Sequence, residues 1–206
     1  MNAISKYTFS FTGASALTAE TRVVAEEFSK LKDWVLVNQV LASDNRLNKI
    51  KQATFKRQLQ ELKKRIDSLT HAQLNVLVQG SLDEAKAMIL ISLVKAYPLF
   101  MDFIVEVVRT KYFLFDRILT ETDYLAFIQS KSLSHPELEE ISEATAKKVK
   151  QRIYTLIEQV GLISQVKNGA ILKPYLSPDI IKIICSDNPS LLRVFLFTDA
   201  EIKSYS

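Results

Sequence analysis

EAKAMILISLVKAYPLFMDFIVEVVRTK, residues Glu84 to Lys111, is the longest apolar run in the chain. A membrane-spanning helix needs about 20 mostly apolar residues with few charges. The run is long enough, but Lys95, Asp102 and Glu106 lie inside it. Near a bilayer centre each such charge costs roughly 2.5–3.5 kcal/mol on the insertion scale. Ser92, Lys95, Asp102, Glu106 and Arg109 step by three, four or seven, which gathers them into one narrow polar seam on a helix. The rest of the circumference is Ile, Leu, Val, Met, Phe and Ala. A helix that is apolar nearly all round is buried in protein or in lipid, and a single seam of mixed sign fits a soluble helical bundle better. The stretch therefore reads as a long buried helix. Ser81 and Glu84 open it as a capping box. Pro98 kinks it, because proline removes a hydrogen bond and crowds the preceding turn. A membrane protein is the competing reading.

The 206 residues suffice for one large domain or two small ones. A soft boundary falls near Phe115, dividing residues 1–115 from residues 116–206, unless both form one continuous domain. A single cysteine, Cys185, leaves no internal disulfide and no cysteine-based metal site. A reducing, cytoplasmic setting follows. The start, MNAISKYTFSFTGASAL, has no continuous apolar core and is not a secretory signal. The net charge of +4 is modest, so its distribution must decide what it means.

Tyr7, Phe9 and Phe11 alternate with polar residues and read as an extended arm that packs its rings on the body. Stacking of those rings on nucleic-acid bases is the minor alternative. Asp33 caps a helix bearing Trp34, Val37, Val40 and Leu41, which Ser43-Asp44-Asn45 closes. Next comes the most basic segment, RLNKIKQATFKRQLQELKKR, Arg46 to Arg65. It holds eight cationic side chains against a lone acid, Glu61. Phe55, Leu59, Leu62, Ile66 and Leu69 mark its buried face. Arg57 and Lys64 lie opposite that face, and Lys56 and Lys63 flank it. Solvated helices commonly mix signs to gain i,i+4 pairs, and this one does not. It carries the electrostatic footprint of a polyanion binder, with Arg46, Lys49, Lys56, Arg57, Lys63 and Lys64 as its candidate contacts. A merely solvated charged face is the other reading.

Thr70 and Gln73 form another capping box, and the short helix they open ends at Gly80. Beyond Lys111, Thr120 caps a helix through Tyr124, Leu125, Phe127 and Ile128. Ser134-His135-Pro136-Glu137 then has the signature of a short helix start. A third helix runs through EATAKKVKQRIYTLIEQVGLI, with Ala146, Val149, Ile153, Leu156, Ile157 and Val160 inward. Lys148, Gln151 and Thr155 face outward, with Lys147, Lys150 and Arg152 beside them. Gly161 stops the helix. Leu162–Val166 and Ala170–Lys173 read as strands around Lys167-Asn168-Gly169, a hairpin signal. Helix, short helix, basic helix, hairpin is the order of a winged helix. In helix-turn-helix proteins the second helix of the motif enters the major groove. Lys147, Lys148, Gln151 and Arg152 are then candidate DNA contacts. A plain helical hairpin with a loop stays open, because the connection from Lys131 to Pro136 is longer than a tight turn. The chain ends in two short helices, Asp179–Cys185 and Leu191–Phe197, each behind a capped proline.

No Gly-rich phosphate loop, nucleophile motif or paired-histidine metal motif occurs. His71 and His135 read as structural, so no catalytic residue, metal or cofactor is assigned. Asp102 and Glu106 share a face, and an ion network with Lys95 and Arg109 accounts for them better than catalysis does.

Several stretches resemble one family. They are YTFSFTGASALTAET from Tyr7, the Asp33-Trp34 pair, FKRQLQELKKRI from Phe55, EVVRTKYF from Glu106, and DYLAFIQSKSLSHPELEEISEATAKKVKQRIYTLIEQVGLI from Asp123. In that order and spacing the chain is similar to the BrxA family of bacterial BREX phage-defence systems, from about Tyr7 to Ile163. The resemblance implies an all-α, NusB-like helical fold and a small non-enzymatic component that binds double-stranded DNA. It leaves RNA conceivable through the likeness to NusB. The other alternative is a protein-interaction adaptor within the defence complex, its basic face docking an acidic partner subunit. The assignment of residues 46–65 and 143–160 as the DNA-facing surfaces comes from their charge.

Overall fold

The apolar run forms two helical rods, one in each of two compact units of an all-α chain. The computed structural model describes residues 6–13, 18–43, 47 and 52–205. Arg46, Lys49, Lys51 and the Asp44-Asn45 stop lie outside them. One unit is Gly13–Ala96, and the other joins Met1–Thr12 to Tyr97–Ser206. The change of unit falls at Tyr97, inside the apolar run, whereas the sequence placed a softer boundary near Phe115. Proline is the cause. Tyr97 is extended (φ −136°, ψ 97°), and Pro98 takes the first position of a new helix. The residue before proline is driven out of the α region, so the helix ends there instead of bending through.

In the unit Gly13–Ala96 the helices are α1 Thr18–Leu31, α2 Trp34–Ser43, α3 Gln52–Asp67, α4 His71–Gln79 and α5 Leu82–Ala96. Every residue of α5 from Ala87 to Val94 is buried, packed by α1, α3 and α4. Each fully buried Leu or Ile contributes roughly 1.5–3 kcal/mol. Ser92 tolerates that environment because its hydroxyl donates to the Ile89 carbonyl at 2.7 Å. The caps read from sequence are in place. Thr70 and Gln73 form a capping box on α4. Ser81 N–H donates to Glu84 Oε2 at 2.8 Å at the start of α5, and Asp33 accepts from Val35 N–H at 2.6 Å ahead of α2.

The second unit opens with α6 Pro98–Asp102, a π-helical turn Phe103–Val108 and α7 Arg109–Phe113. Then follow β1 Ile118–Leu119, α8 Glu121–Ser132, α9 Glu137–Glu140, α10 Glu143–Gln159, β2 Gly169–Ala170, α11 Pro178–Asp187, a 3-10 turn Pro189–Phe195 and α12 Asp199–Lys203. Phe103 is fully buried and sets its ring 5.9, 5.3 and 6.0 Å from those of Tyr124, Phe127 and Tyr154. It thereby fixes α8 and α10 against the π-helical turn. That wide turn, in which Arg109 N–H donates to the Ile104 carbonyl, shifts the helical register. It dissolves the expected seam. Asp102 and Glu106 do not pair with Lys95 and Arg109. Lys131 reaches Asp102 at 3.4 Å and Glu106 at 2.5 Å, and Arg109 donates instead to the Phe197 carbonyl at 3.0 Å and Asp199 at 3.1 Å.

The sheet also differs from the expected hairpin. β1 pairs antiparallel with β2, Ile118 opposite Ala170 and Leu119 opposite Gly169. Between 162–166 and 170–173 there is a single bridge, Ile163 to Ile171. The Gly169 strand thus gains its main partner from 50 residues earlier in the chain, a pairing with no local signature. The final segment differs too. The expected helix Leu191–Phe197 is a 3-10 turn closed by Leu196 at φ 62°, and α12, capped by Thr198 with Glu201, was not anticipated.

The aromatic arm packs as expected, by a specific lock. Its Ser10–Gly13 end is a 3-10 turn. Tyr7 stacks on His135 with centroids 3.6 Å apart. Its N–H donates to Glu137 Oε1 at 2.6 Å and its hydroxyl to Asp102 Oδ2 at 2.6 Å. Glu137 also faces His135 Nδ1 at 3.0 Å. Ser134 therefore does not cap α9, and the Glu137 carboxylate is spent on the arm. Burial, then the Asp102 carboxylate, push the Tyr7 phenol well above its ordinary value. Burial likewise raises Tyr124 and Tyr154.

An alkaline prediction follows from these phenols. A group whose pKa is higher in the folded state contributes stability that is present below the unfolded value, about 10 for tyrosine, and lost as the pH rises past it. Between pH 10 and 11 stability is expected to fall by about 1 kcal/mol for each of Tyr7, Tyr124 and Tyr154. Urea unfolding at each pH, with phenolate absorbance recorded alongside, measures this. Free titration of every tyrosine near pH 10 in the folded protein would contradict the burial described here.

Candidate nucleic-acid interface

Helix α3 buries Phe55, Leu59, Leu62 and Ile66 at i, i+4, i+7 and i+11, the stripe expected of an amphipathic helix. The buried face is wider than that stripe, since Gln58, Glu61 and Arg65 are also buried. Arg65 Nε donates to Glu61 Oε1 at 3.0 Å, and both side chains are almost fully enclosed. Arg65 is therefore internal, and Glu61 goes inside with it. Lys56, Arg57 and Lys64 are exposed, and Lys63 is half-buried. Among the described residues no acidic side chain pairs with Lys56 or Arg57. Partial burial lowers the Lys64 pKa. Glu61 opposes that shift and Arg65 adds to it.

Lys63 is held by groups the sequence reading did not connect to it. Its ammonium meets Asp67 at 2.7 Å and lies 4.7 Å from the centroid of the Trp34 ring. Trp34 Nε1 donates to the same Asp67 at 2.9 Å, and its ring stacks on Phe28 at 4.2 Å. The i,i+4 spacing of Lys63 and Asp67 was a readable signal. The Trp34 contact, coming from another helix, was not.

Helix α10 starts at the Ser142 cap, which accepts from Thr145 N–H. Val149, Ile153, Leu156 and Ile157 are buried as expected. Lys147, Lys148 and Gln151 are exposed. Arg152 is half-buried and donates to the Thr12 carbonyl at 3.4 Å, so it braces the arm. Lys150 is ion-paired with Glu121, whose carboxyl this hydrogen bond holds below its usual range. After α10, Gly161 turns the chain at φ 83° and Asn168 forms a loop tip at φ 51°. Ser164 N–H donates to the Ala170 carbonyl at 2.9 Å and Leu172 N–H to that of Leu162 at 2.8 Å. Helix, short helix, basic helix and loop thus occur in the expected order, with Lys167 and Asn168 exposed at the tip.

The two basic surfaces belong to different units, α3 to one and α10 to the other. No cluster of His, Cys, Asp or Glu among the described residues could hold a metal ion. Nor is any single helix among them long and apolar enough to cross a membrane.

The BrxA family matches residues 5–188. The chain belongs to the BrxA family. It is 26% identical over 144 residues to the BREX protein BrxA of Bacillus cereus (strain H3081.97), covering 66% of this chain and 72% of that protein. It is 22% identical over 167 residues to the BREX protein BrxA of Escherichia coli O9:H4 (strain HS), covering 81% and 78%. An uncharacterized protein from Magnetospirillum magneticum has a similar crystal structure, with a TM-score of 0.79, 19% identity, and 93% of this chain and 98% of that one covered. That likeness shows the fold. This BrxA-family chain is accordingly a component of a BREX phage-defence system.

The Lys63–Asp67 contact generates a test of the α3 surface. Asp67→Asn keeps an oxygen for Trp34 but releases Lys63 from its carboxylate. Because exposed i,i+4 pairs contribute about 0.3–0.5 kcal/mol, unfolding by urea is expected to change little. Elution from heparin is expected at higher salt. Unchanged elution would mean that α3 does not face the polyanion.

Proposed function

We propose that this chain is a non-enzymatic DNA-binding component of its BREX system, acting in the cytoplasm on duplex DNA. Lys56, Arg57 and Lys64, with Lys63, meet phosphates from α3. Lys147 and Lys148 meet them from α10, with Gln151 placed to reach a base edge. One observation carries the reading. The acid within the basic segment is turned into the core, so the outward surface of α3 from Lys56 to Lys64 presents positive charge alone. Phosphate neutralisation by such a surface releases counterions and supplies affinity without sequence preference. The order helix, short helix, basic helix and loop around α10 supports a groove contact there.

A second reading, an adaptor that docks other BREX subunits, draws on exposed apolar residues. Leu114 and Phe115 are 72% and 81% exposed on a turn where Phe115 adopts φ 60°.

Gel shifts over a salt series, comparing duplex DNA, single strands and RNA, separate these functions. Wild-type protein is expected to retard the duplex most. Lys56→Ala with Arg57→Ala is expected to weaken it and to reduce the salt slope by about 2, near 0.9 per lost phosphate contact. Lys147→Ala with Lys148→Ala is expected to do the same independently. An unchanged slope removes the helix concerned from the interface. Preferential retardation of RNA replaces the duplex, and no shift at low salt leaves the adaptor.

A further inference from the structure

A cavity of about 260 Å³ lies between α10 and the loop tip that follows it. Its walls include Leu119, Tyr154 and Val166. Tyr154 is fixed there, its hydroxyl donating to the Thr120 carbonyl at 2.5 Å. Two amides, Gln151 and Asn168, and two ammonium groups, Lys150 and Lys167, share the lining with Glu121. Small-molecule sites are usually about 300–1,000 Å³, mostly apolar, with a few convergent polar groups. This one is slightly smaller and has that composition.

The lining narrows the chemistry. A fatty acyl chain would leave both amides and both cations unused. A small dicarboxylate would gain nothing from Leu119, Val166 and the Tyr154 ring. A planar heteroaromatic ring with a phosphate uses all three kinds of group. Its faces take the apolar walls, its edge donors and acceptors take the amides and Glu121, and its phosphate takes the Lys167 ammonium, since Lys150 is paired with Glu121. Unstacked bases are recognised in this way, by stacking and by hydrogen bonds to their edges.

We propose that this cavity binds one nucleoside monophosphate unit, its base unpaired. The unit comes either from a free nucleotide or from an unpaired position in nucleic acid. The inference rests on the nucleic-acid reading of α10, and the following test separates the two.

The full-length protein is titrated with the four deoxynucleoside 5′-monophosphates, with ribose 5-phosphate as control, and saturation-transfer NMR is recorded. In parallel, its affinity is measured for a perfect duplex and for one carrying a single-nucleotide bulge. Val166→Trp fills the cavity from a position already 41% exposed. As a second variant, Gln151→Ala with Asn168→Gly removes both amides while glycine keeps the positive φ of the tip. Base protons are expected to receive saturation, and both variants are expected to lose it at least fivefold. A bulge bound at least fivefold more tightly than the perfect duplex, with the preference lost in Val166→Trp, identifies nucleic acid as the source. Nucleotide binding without that preference identifies a free nucleotide. Neither signal in the wild type, or signals that survive in both variants, overturns the inference even if duplex is bound. Nucleotide signals without any duplex binding leave it standing and reject the duplex reading instead.

Discussion

Tyr97 is extended because Pro98 follows it, and the rest of the fold is arranged around that one backbone constraint. Proline inside a helix costs about 3 kcal/mol through a lost hydrogen bond and a steric clash. Ending α5 at Ala96 avoids the cost. The Tyr97 carbonyl then serves the next helix, accepting from Phe100 N–H at 3.0 Å and Met101 N–H at 3.2 Å. Tyr97 itself is fully buried, its hydroxyl 3.3 Å from Ser10 Oγ and its ring edge against Phe11 at 5.2 Å. One interruption thus gives each unit its own apolar rod. α5 fills the unit Gly13–Ala96, while Leu99, Phe100, Phe103, Ile104 and Val108 fill the other.

The charge pattern follows from what the rods bury. Placing Arg65 and Glu61 together in the core adds little net stability, since desolvation offsets most of their attraction. Its consequence lies outside. The outer face of α3 loses its acid, and Asp67 is the next acidic residue along the helix. Between exposed groups, salt screens interactions beyond about 8 Å. Distant acids on the chain therefore do little to offset the exposed charge of Lys56 and Arg57. Lys63, engaged by Asp67 and Trp34, is the member of the cluster whose charge is already shared.

Local chemistry was legible in the sequence, and chemistry across distance was not. The Thr70–Gln73, Ser81–Glu84 and Ser177–Pro178 starts are contained within four residues, and each stands as read. Thr198–Glu201 has the same signature and heads α12. It is readable by the same rule. The inner stripes of α3 and α10 were legible from period alone, as were the outward Lys56, Arg57, Lys147 and Lys148. The π-helical turn was not, because no residue type demands it. It moved Arg109 from the Glu106 seam to Asp199. The β1–β2 pairing and the Tyr7–Glu137 lock join residues far apart in sequence. Glu137 looked like a capping acid, and only the arm's arrival gives it another use.

The loop after α10 shows how such distant contacts create a site. Gly169 allows the Gln165 carbonyl to approach so closely that any Cβ there would collide with it. The tip is thereby tightened, and Asn168 is held at positive φ beside it. β1 pins the far side of the same strand through Leu119 opposite Gly169. Leu119 then forms a wall of the cavity that Lys167 and Asn168 line from the tip and Gln151 from the helix. A flexible loop of the same composition would offer these groups at an entropic cost on binding. Here the turn, the strand pair and the buried Tyr154 have met that cost for the backbone in folding, so Gln151, Lys167 and Asn168 project from an ordered frame.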